Sequence, residues 1–176
     1  MLGLLDARGA ICTAILVTHG HVDHVLSLAD LRERTGAPVY APEGERMFLL
    51  APGSFSISGL DPRPCDADVW LTGGETVEAA GIAFAVRSVP GHSPAHLAYL
   101  VDGHLFSGDV LFAGSVGRTD FPGSDWNLLL ESISSLVDGC PPDTIVYPGH
   151  GPTTTLGTEL ARNPFLAELR ANRGHA

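Results

Sequence analysis

The spacing of apolar and polar positions changes several times along the chain, and each change marks an element. Ile11 to Thr18 is a continuous apolar and β-branched run ending in a polar cluster, the pattern of a buried strand that delivers a site at its C-terminal end. Val25, Leu28, Ala29 and Leu31 follow at helical spacing, with Gly36 and Pro38 as stop signals, and predict a helix over Val25 to Thr35. Pro38 to Tyr40 reads as a short strand and Glu43 to Leu50 as a short helix. Ala51 to Asp68, rich in Pro, Gly, Ser and Asp, reads as a loop placed to act as a lid. Ile82 to Val89, Leu97 to Val101, Leu105 to Ser107 and Ile145 to Tyr147 read as strands, separated by turn residues such as Asp102-Gly103. Asp125 to Val137 and Glu159 to Arg170 read as helices, the second kinked or split at Pro164. Strand, site and helix in alternation describe an α/β chain, and with no internal repeat or linker, residues 1–176 are expected to form a single domain.

Chemistry concentrates where the first strand ends. Thr18-His19-Gly20-His21-Val22-Asp23-His24 places three imidazoles and a carboxylate within six positions. Neutral imidazole nitrogens and carboxylate oxygens suit Zn²⁺, Fe²⁺ or Mn²⁺, and a loop at a strand end can turn several of them toward one point. A solvated polar turn is the plain alternative. Three later segments repeat the arrangement, each with a ligand type in a Gly-containing turn after an apolar run: Val89-Pro90-Gly91-His92, Phe106-Ser107-Gly108-Asp109 and Tyr147-Pro148-Gly149-His150. Any one of them is explained by ordinary turn preferences; four in order are not. His104, in the Asp102-Gly103 hairpin, and His175, near the C-terminal end, are not ligand candidates.

Composition narrows the partners. With 176 residues and 44% hydrophobic content the chain can bury a core, and 20 acidic against 10 basic residues give a formal charge of −10, which repels nucleic acid and anionic lipid. Cys12, Cys65 and Cys140 lie far apart and odd in number, so no disulfide framework is expected and a reducing cytoplasm fits. The first residues lack a basic n-region, and no stretch approaches the roughly 20 apolar residues of a membrane span. The absence of a G-x-S-x-G elbow speaks against a serine hydrolase.

At these motifs the sequence resembles the metallo-β-lactamase superfamily, and within it the hydroxyacylglutathione hydrolases, or glyoxalase II. The resemblance rests on THGHVDH (Thr18 to His24), GHSPAH (Gly91 to His96), SGDVLFAGSVGRTDFP (Ser107 to Pro122) and PGHGPTTTLGTELARNPF (Pro148 to Phe165). It implies an αββα sandwich, two mixed sheets face to face with helices outside and the metals at one edge. It assigns His19, His21 and His92 to one divalent metal, and Asp23, His24 and His150 to another, with Asp109 bridging. Zinc is the first expectation, iron and manganese the others. His96 is expected to brace the site without binding metal. Two metals sharing a carboxylate lower the pKa of a bridging water and polarise a carbonyl, which implies hydrolysis of a small-molecule thioester, with 2-hydroxyacyl-glutathione as the reference substrate and Asp23 orienting the nucleophile. Arg118, nine positions after Asp109, stands where the family carries a basic residue that contacts glutathione.

Two departures shape further expectations. Only 18 residues precede His19, where the family has several strands, so the sandwich is expected to be N-terminally shortened and to expose apolar surface, with homo-oligomer formation through an unpaired sheet edge as one remedy. Only 26 residues follow His150, so the C-terminal helical extension of full-length glyoxalase II is expected to be missing or replaced. Alternatives within the resemblance are a persulfide dioxygenase holding one iron on two histidines and an aspartate, and a truncated, non-catalytic metal-binding member.

Overall fold

The computed structural model describes residues 2–52, 60 and 62–173. Much of the expected lid (residues 53–59 and 61) and His175 lie outside the described residues. In chain order the elements are α1 (Leu2–Arg8), β1 (Ile15–Leu16), α2 (Val22–Val25), α3 (Leu28–Thr35), β2 (Val39–Pro42) and a 3₁₀ turn (Glu43–Glu45) running into α4 (Arg46–Leu50). There follow β3 (Val69–Leu71), β4 (Thr76–Ala79), β5 (Ile82–Ser88), β6 (Leu97–Val101), β7 (His104–Gly108), β8 (Leu111–Phe112), β9 (Ser115–Val116) and α5 (Trp126–Gly139). The chain continues through β10 (Ile145–Pro148), β11 (Thr154–Thr155), α6 (Leu156–Arg162), a second 3₁₀ turn (Pro164–Leu166) and α7 (Ala167–Arg173).

Two sheets carry the architecture. The first is parallel, in the order β1-β2-β3. The second is mixed, in the order β11-β10-β7-β6-β5-β4, with β10 parallel to β7 and the remaining pairs antiparallel. One face of the first sheet (Val17, Val39, Ala41) packs on Val25, Leu28 and Ala29 of the adjoining helices and on Leu49. One face of the second (Ala98, Leu105, Val146) packs on Leu129, Ile133 and Leu136 of α5 and on Leu156. The sheets meet through Leu71, Val77, Val86, Leu97 and Tyr99, with Leu16 and Tyr40 against them. Helix, sheet, sheet, helix is the αββα order expected. Polar stitches cross the same seam: the Tyr99 hydroxyl donates to the Val17 carbonyl at 2.8 Å, and Leu97 N–H to the Thr18 carbonyl at 2.8 Å.

Several elements depart from the sequence pattern for identifiable reasons. The run Ile11 to Thr18 is a strand only at Ile15–Leu16, because β2 is its sole strand neighbour among the described residues and Ile11 is 84% exposed. The helix expected over Val25 to Thr35 is broken into α2 and α3 around Leu26 and Ser27. The 3₁₀ start at Glu43 and the split at Pro164 agree with the pattern; α1, β3, β4 and the β8–β9 hairpin were not legible in it. β4 escapes because its turn is Ala80-Gly81, with Ala80 at φ 54, a conformation alanine does not advertise.

The first sheet does not reach across the whole second sheet. Phe106 on β7 is 40% exposed and stacks on Tyr147 of β10 at 5.0 Å, beside half-buried Phe84, on the face that elsewhere carries the seam. Among the described residues, apolar surface thus stands open beside β1.

Leu129 lies at the centre of the larger core and is fully buried. Replacing it with Ala should cost about 2–5 kcal/mol of stability. Urea unfolding would measure this, and a loss below about 1 kcal/mol would show that the core closes around the gap.

Candidate metal centre

All the ligand types identified in the sequence follow the C-terminal ends of strands, and within the second sheet β5, β7 and β10 run in one direction. The His19–His24 stretch follows β1, His92 follows β5, Asp109 follows β7 and His150 follows β10. Ligand sites of α/β sheets gather at such ends because loops there are free to vary over a rigid frame. Two glycines let the loops close. A Cβ on Gly149 would overlap the Asp109 carboxylate, and Gly91, at φ 135, lies against the backbone of Leu129 where no side chain fits.

The structure brings all seven residues together in two groups. His19, His21 and His92 form one; Asp23, His24, Asp109 and His150 form the other, with the ligand atoms of each within 4.8 Å of one another. Asp109 faces both. Its Oδ2 lies 3.6 Å from His92 Nε2 and 3.4 Å from His150 Nε2, while Oδ1 lies 3.3 Å from His24 Nε2. Asp23 Oδ2 approaches His150 Nε2 at 3.0 Å and His24 Nε2 at 3.6 Å. His21 Nδ1 and His92 Nε2 are 2.9 Å apart.

Divalent cations fit this donor set. His19 Nε2, His24 Nε2 and Asp109 Oδ1 are buried without a hydrogen-bond partner, which is costly in an interior unless another species takes their lone pairs. Protonation does not supply it at His19, whose pKa is pushed well down by burial and by neighbouring His96, His24, His21 and His92. Burial and His92 lower His21 to about 4, and burial lowers His92. His24 differs: burial works downward, but the Asp109 and Asp23 carboxylates outweigh it and its pKa is raised. For Asp109 burial works upward and is outweighed by His24, His92 and His150, so the carboxylate stays ionised. Neutral imidazoles at His19, His21 and His92 beside an ionised Asp109 are the protonation states that zinc, iron or manganese require.

The supporting contacts fix orientation. His92 Nδ1–H donates to the Arg118 carbonyl at 2.8 Å, leaving Nε2 with its lone pair toward the site. Thus the backbone of Arg118 serves the centre, whereas its guanidinium pairs with Asp120. His96 is fully buried, stacks on His19 at 4.5 Å and accepts from Asp109 N–H at 3.2 Å, as a brace would. Burial lowers its pKa to about 3. His104 sits apart, 3.2 Å from the Tyr147 hydroxyl.

Glu45 was not among the residues that sequence reasoning singled out. This carboxylate is fully buried and accepts from Gly20 N–H at 2.5 Å, from Ala95 N–H at 3.2 Å and from the Ser93 hydroxyl. It therefore ties the loop between His19 and His21 to the loop carrying His92, across the two sheets. Burial pushes its pKa up, and the three hydrogen bonds pull against that. A signal existed in Glu43-Gly44-Glu45 straight after a strand, but acidic residues in turns are usually solvated. Glu45→Gln turns an NH₂ toward one of the two backbone donors. It should weaken metal binding at the His19, His21 and His92 group about 10- to 100-fold. Metal titration of the purified variant tests this, and wild-type affinity would reduce Glu45 to a packing role.

Comparison with known proteins agrees with this geometry. Residues 4–150 match the family model of the metallo-beta-lactamase superfamily. The chain is 38% identical over 167 residues to the probable metallo-hydrolase YqgX of Bacillus subtilis, covering 92% of this chain and 79% of that protein. It is 35% identical over 158 residues to the hydroxyacylglutathione hydrolase GloC of Haemophilus influenzae, covering 86% and 74%. Among solved structures, the BLEG-1 B3 metallo-beta-lactamase superposes with a TM-score of 0.87 at 40% identity, over 94% of this chain and 82% of that one. TTHA1623 in a di-iron-bound form superposes with a TM-score of 0.79 at 40% identity, over 94% and 83%. With the αββα layers and the seven-residue cluster in place, the chain belongs to the metallo-beta-lactamase superfamily of metallo-hydrolases.

Proposed function

We propose that the protein hydrolyses thioesters of the glutathione type, with 2-hydroxyacyl-glutathione as the reference substrate, using two divalent ions, zinc first among them. The observation that carries the reading is Asp109, whose carboxylate lies beside His92 of one ligand group and His24 and His150 of the other, on the floor of an open cleft. The relative named hydroxyacylglutathione hydrolase supports the substrate class, and the di-iron neighbour supports a pair of ions. Ions held there would supply Lewis acidity, polarising the thioester carbonyl and making a nearby water nucleophilic at neutral pH.

The chain's own groups divide the remaining work. His92 is oriented by the Arg118 carbonyl, and His19 and the Asp109 backbone by His96. Asp23 is half-exposed at the cleft, where its carboxylate can orient an attacking water and accept its proton. A thiolate is a good leaving group, so no strong general acid is needed opposite it. Among the described residues no helix is long and apolar enough to cross a membrane, and the charge of −10 keeps phosphate-rich polymers away.

Metal analysis and a lactoylglutathione assay on one preparation test the proposal together. Two metals per chain with turnover is the expected result; one iron per chain, no hydrolysis and oxygen uptake with glutathione persulfide would replace it with the dioxygenase. Asp109→Ala should lower metal content below two per chain and reduce kcat/KM at least about 100-fold, the scale on which a lost catalytic electrostatic group acts. Full activity in that variant would overturn the bridging role.

A further inference from the structure

We propose that the cleft recognises a thioester through apolar contact with its acyl group and not through the carboxylates of its thiol carrier, so that an uncharged carrier serves at least as well as glutathione. This rests on the thioester reading above and concerns what that site selects.

The cleft of about 940 Å³ beside Asp109 is walled by Val22, Phe48, Phe112, Val116, Phe121 and Pro122. Such a wall rewards hydrocarbon. Each methylene fully buried against it is worth about three- to fourfold in binding. Charge tells the same story from the other side. Among the described lining residues other than the candidate metal ligands, Arg118 is the one charged side chain.

Arg118 is already engaged. Its Nε and Nη2 donate to Asp120 Oδ1 and Oδ2, both at 2.6 Å, and the guanidinium lies over the Phe121 ring at 4.3 Å. The two parallel N–H groups that match a carboxylate are thus taken by the chain's own carboxylate. Glutathione brings two carboxylates, and one of them would have to displace Asp120 to reach this cation. No other arginine or lysine is among the described residues that line the cleft. The pairing is exposed, so it handicaps an incoming carboxylate only modestly, by up to about fivefold. That is enough to remove any advantage of an anionic carrier.

The test compares carriers at constant acyl group. Binding to the metal-loaded protein would be measured by calorimetry for two non-hydrolysable thioethers, S-hexyl-N-acetylcysteamine and S-hexylglutathione, and turnover for the hexanoyl thioesters of the same thiols. The neutral ligand should bind at least as tightly as the glutathione ligand. Asp120→Asn, which frees the guanidinium, should shift the ratio toward glutathione by about two- to fivefold. Shortening hexyl to ethyl should weaken both ligands more than tenfold, since four methylenes leave the wall. Tenfold tighter binding of S-hexylglutathione by the wild-type protein would overturn the proposal, and so would a carrier ratio indifferent to Asp120→Asn. Thioether binding in the expected order without hydrolysis of either thioester would sink the thioester reading and leave the account of the cleft standing.

Discussion

Five imidazoles and two carboxylates crowded into one edge of the sandwich, some buried and some facing the cleft, are the constraint on which the rest of the structure depends. Burial first, and neighbouring imidazoles after it, depress the protonation of His19, His21 and His92. Several buried lone pairs then have no protein partner. Such a cluster does not hold itself together; the loops bearing it must be fixed by something else. Glu45 fixes the His19–His21 and His92 loops. Glu159, also buried, accepts from Gly114 N–H at 2.8 Å and from the Thr154 hydroxyl at 2.5 Å, and so ties the hairpin after Asp109 to the segment after His150. One buried carboxylate stands behind each flank of the centre, where water cannot compete for its hydrogen bonds.

The centre was legible in the sequence because metal chemistry restricts residue types and strand ends restrict where they stand. Every histidine and aspartate singled out by the four Gly-containing turns arrives within a few ångströms of the others. The larger sheet was legible where strands are long and alternate, as in β5 and β6. What remained hidden depended on distant partners. Ile15–Leu16 and Leu111–Phe112 are strands of two residues each, defined by their neighbours and not by any period of their own. Glu45 and Glu159 were not singled out, because burial of a carboxylate is decided by donors that come from remote loops. Arg118 shows the same limit from another direction. Its place nine residues after Asp109 marked it as a substrate contact, but only the fold reveals Asp120 on its guanidinium and His92 on its carbonyl.

Around the centre, polar and apolar tasks are separated. The floor of the cleft is nitrogen and oxygen, and its walls are aromatic and aliphatic. Electrostatic contacts gain strength at such a floor because the walls exclude solvent. The distribution of arginine keeps the two tasks apart: Arg32 and Arg63 pair with carboxylates on the far side of the first sheet, and Arg173 with Asp138 on α5.

The seam between the sheets has a mechanical meaning. Its apolar contact is small, and part of the second sheet lies open beyond it, at Phe106 and Tyr147. The ligands come from both sides: His19, His21, Asp23 and His24 from the first sheet, and His92, Asp109 and His150 from the second. Ions gripped by both would therefore act as rivets at one edge of a book whose spine is thin. Their affinity includes the work of keeping the covers shut, and any ligand in the cleft that strains the rivets is felt along the whole seam.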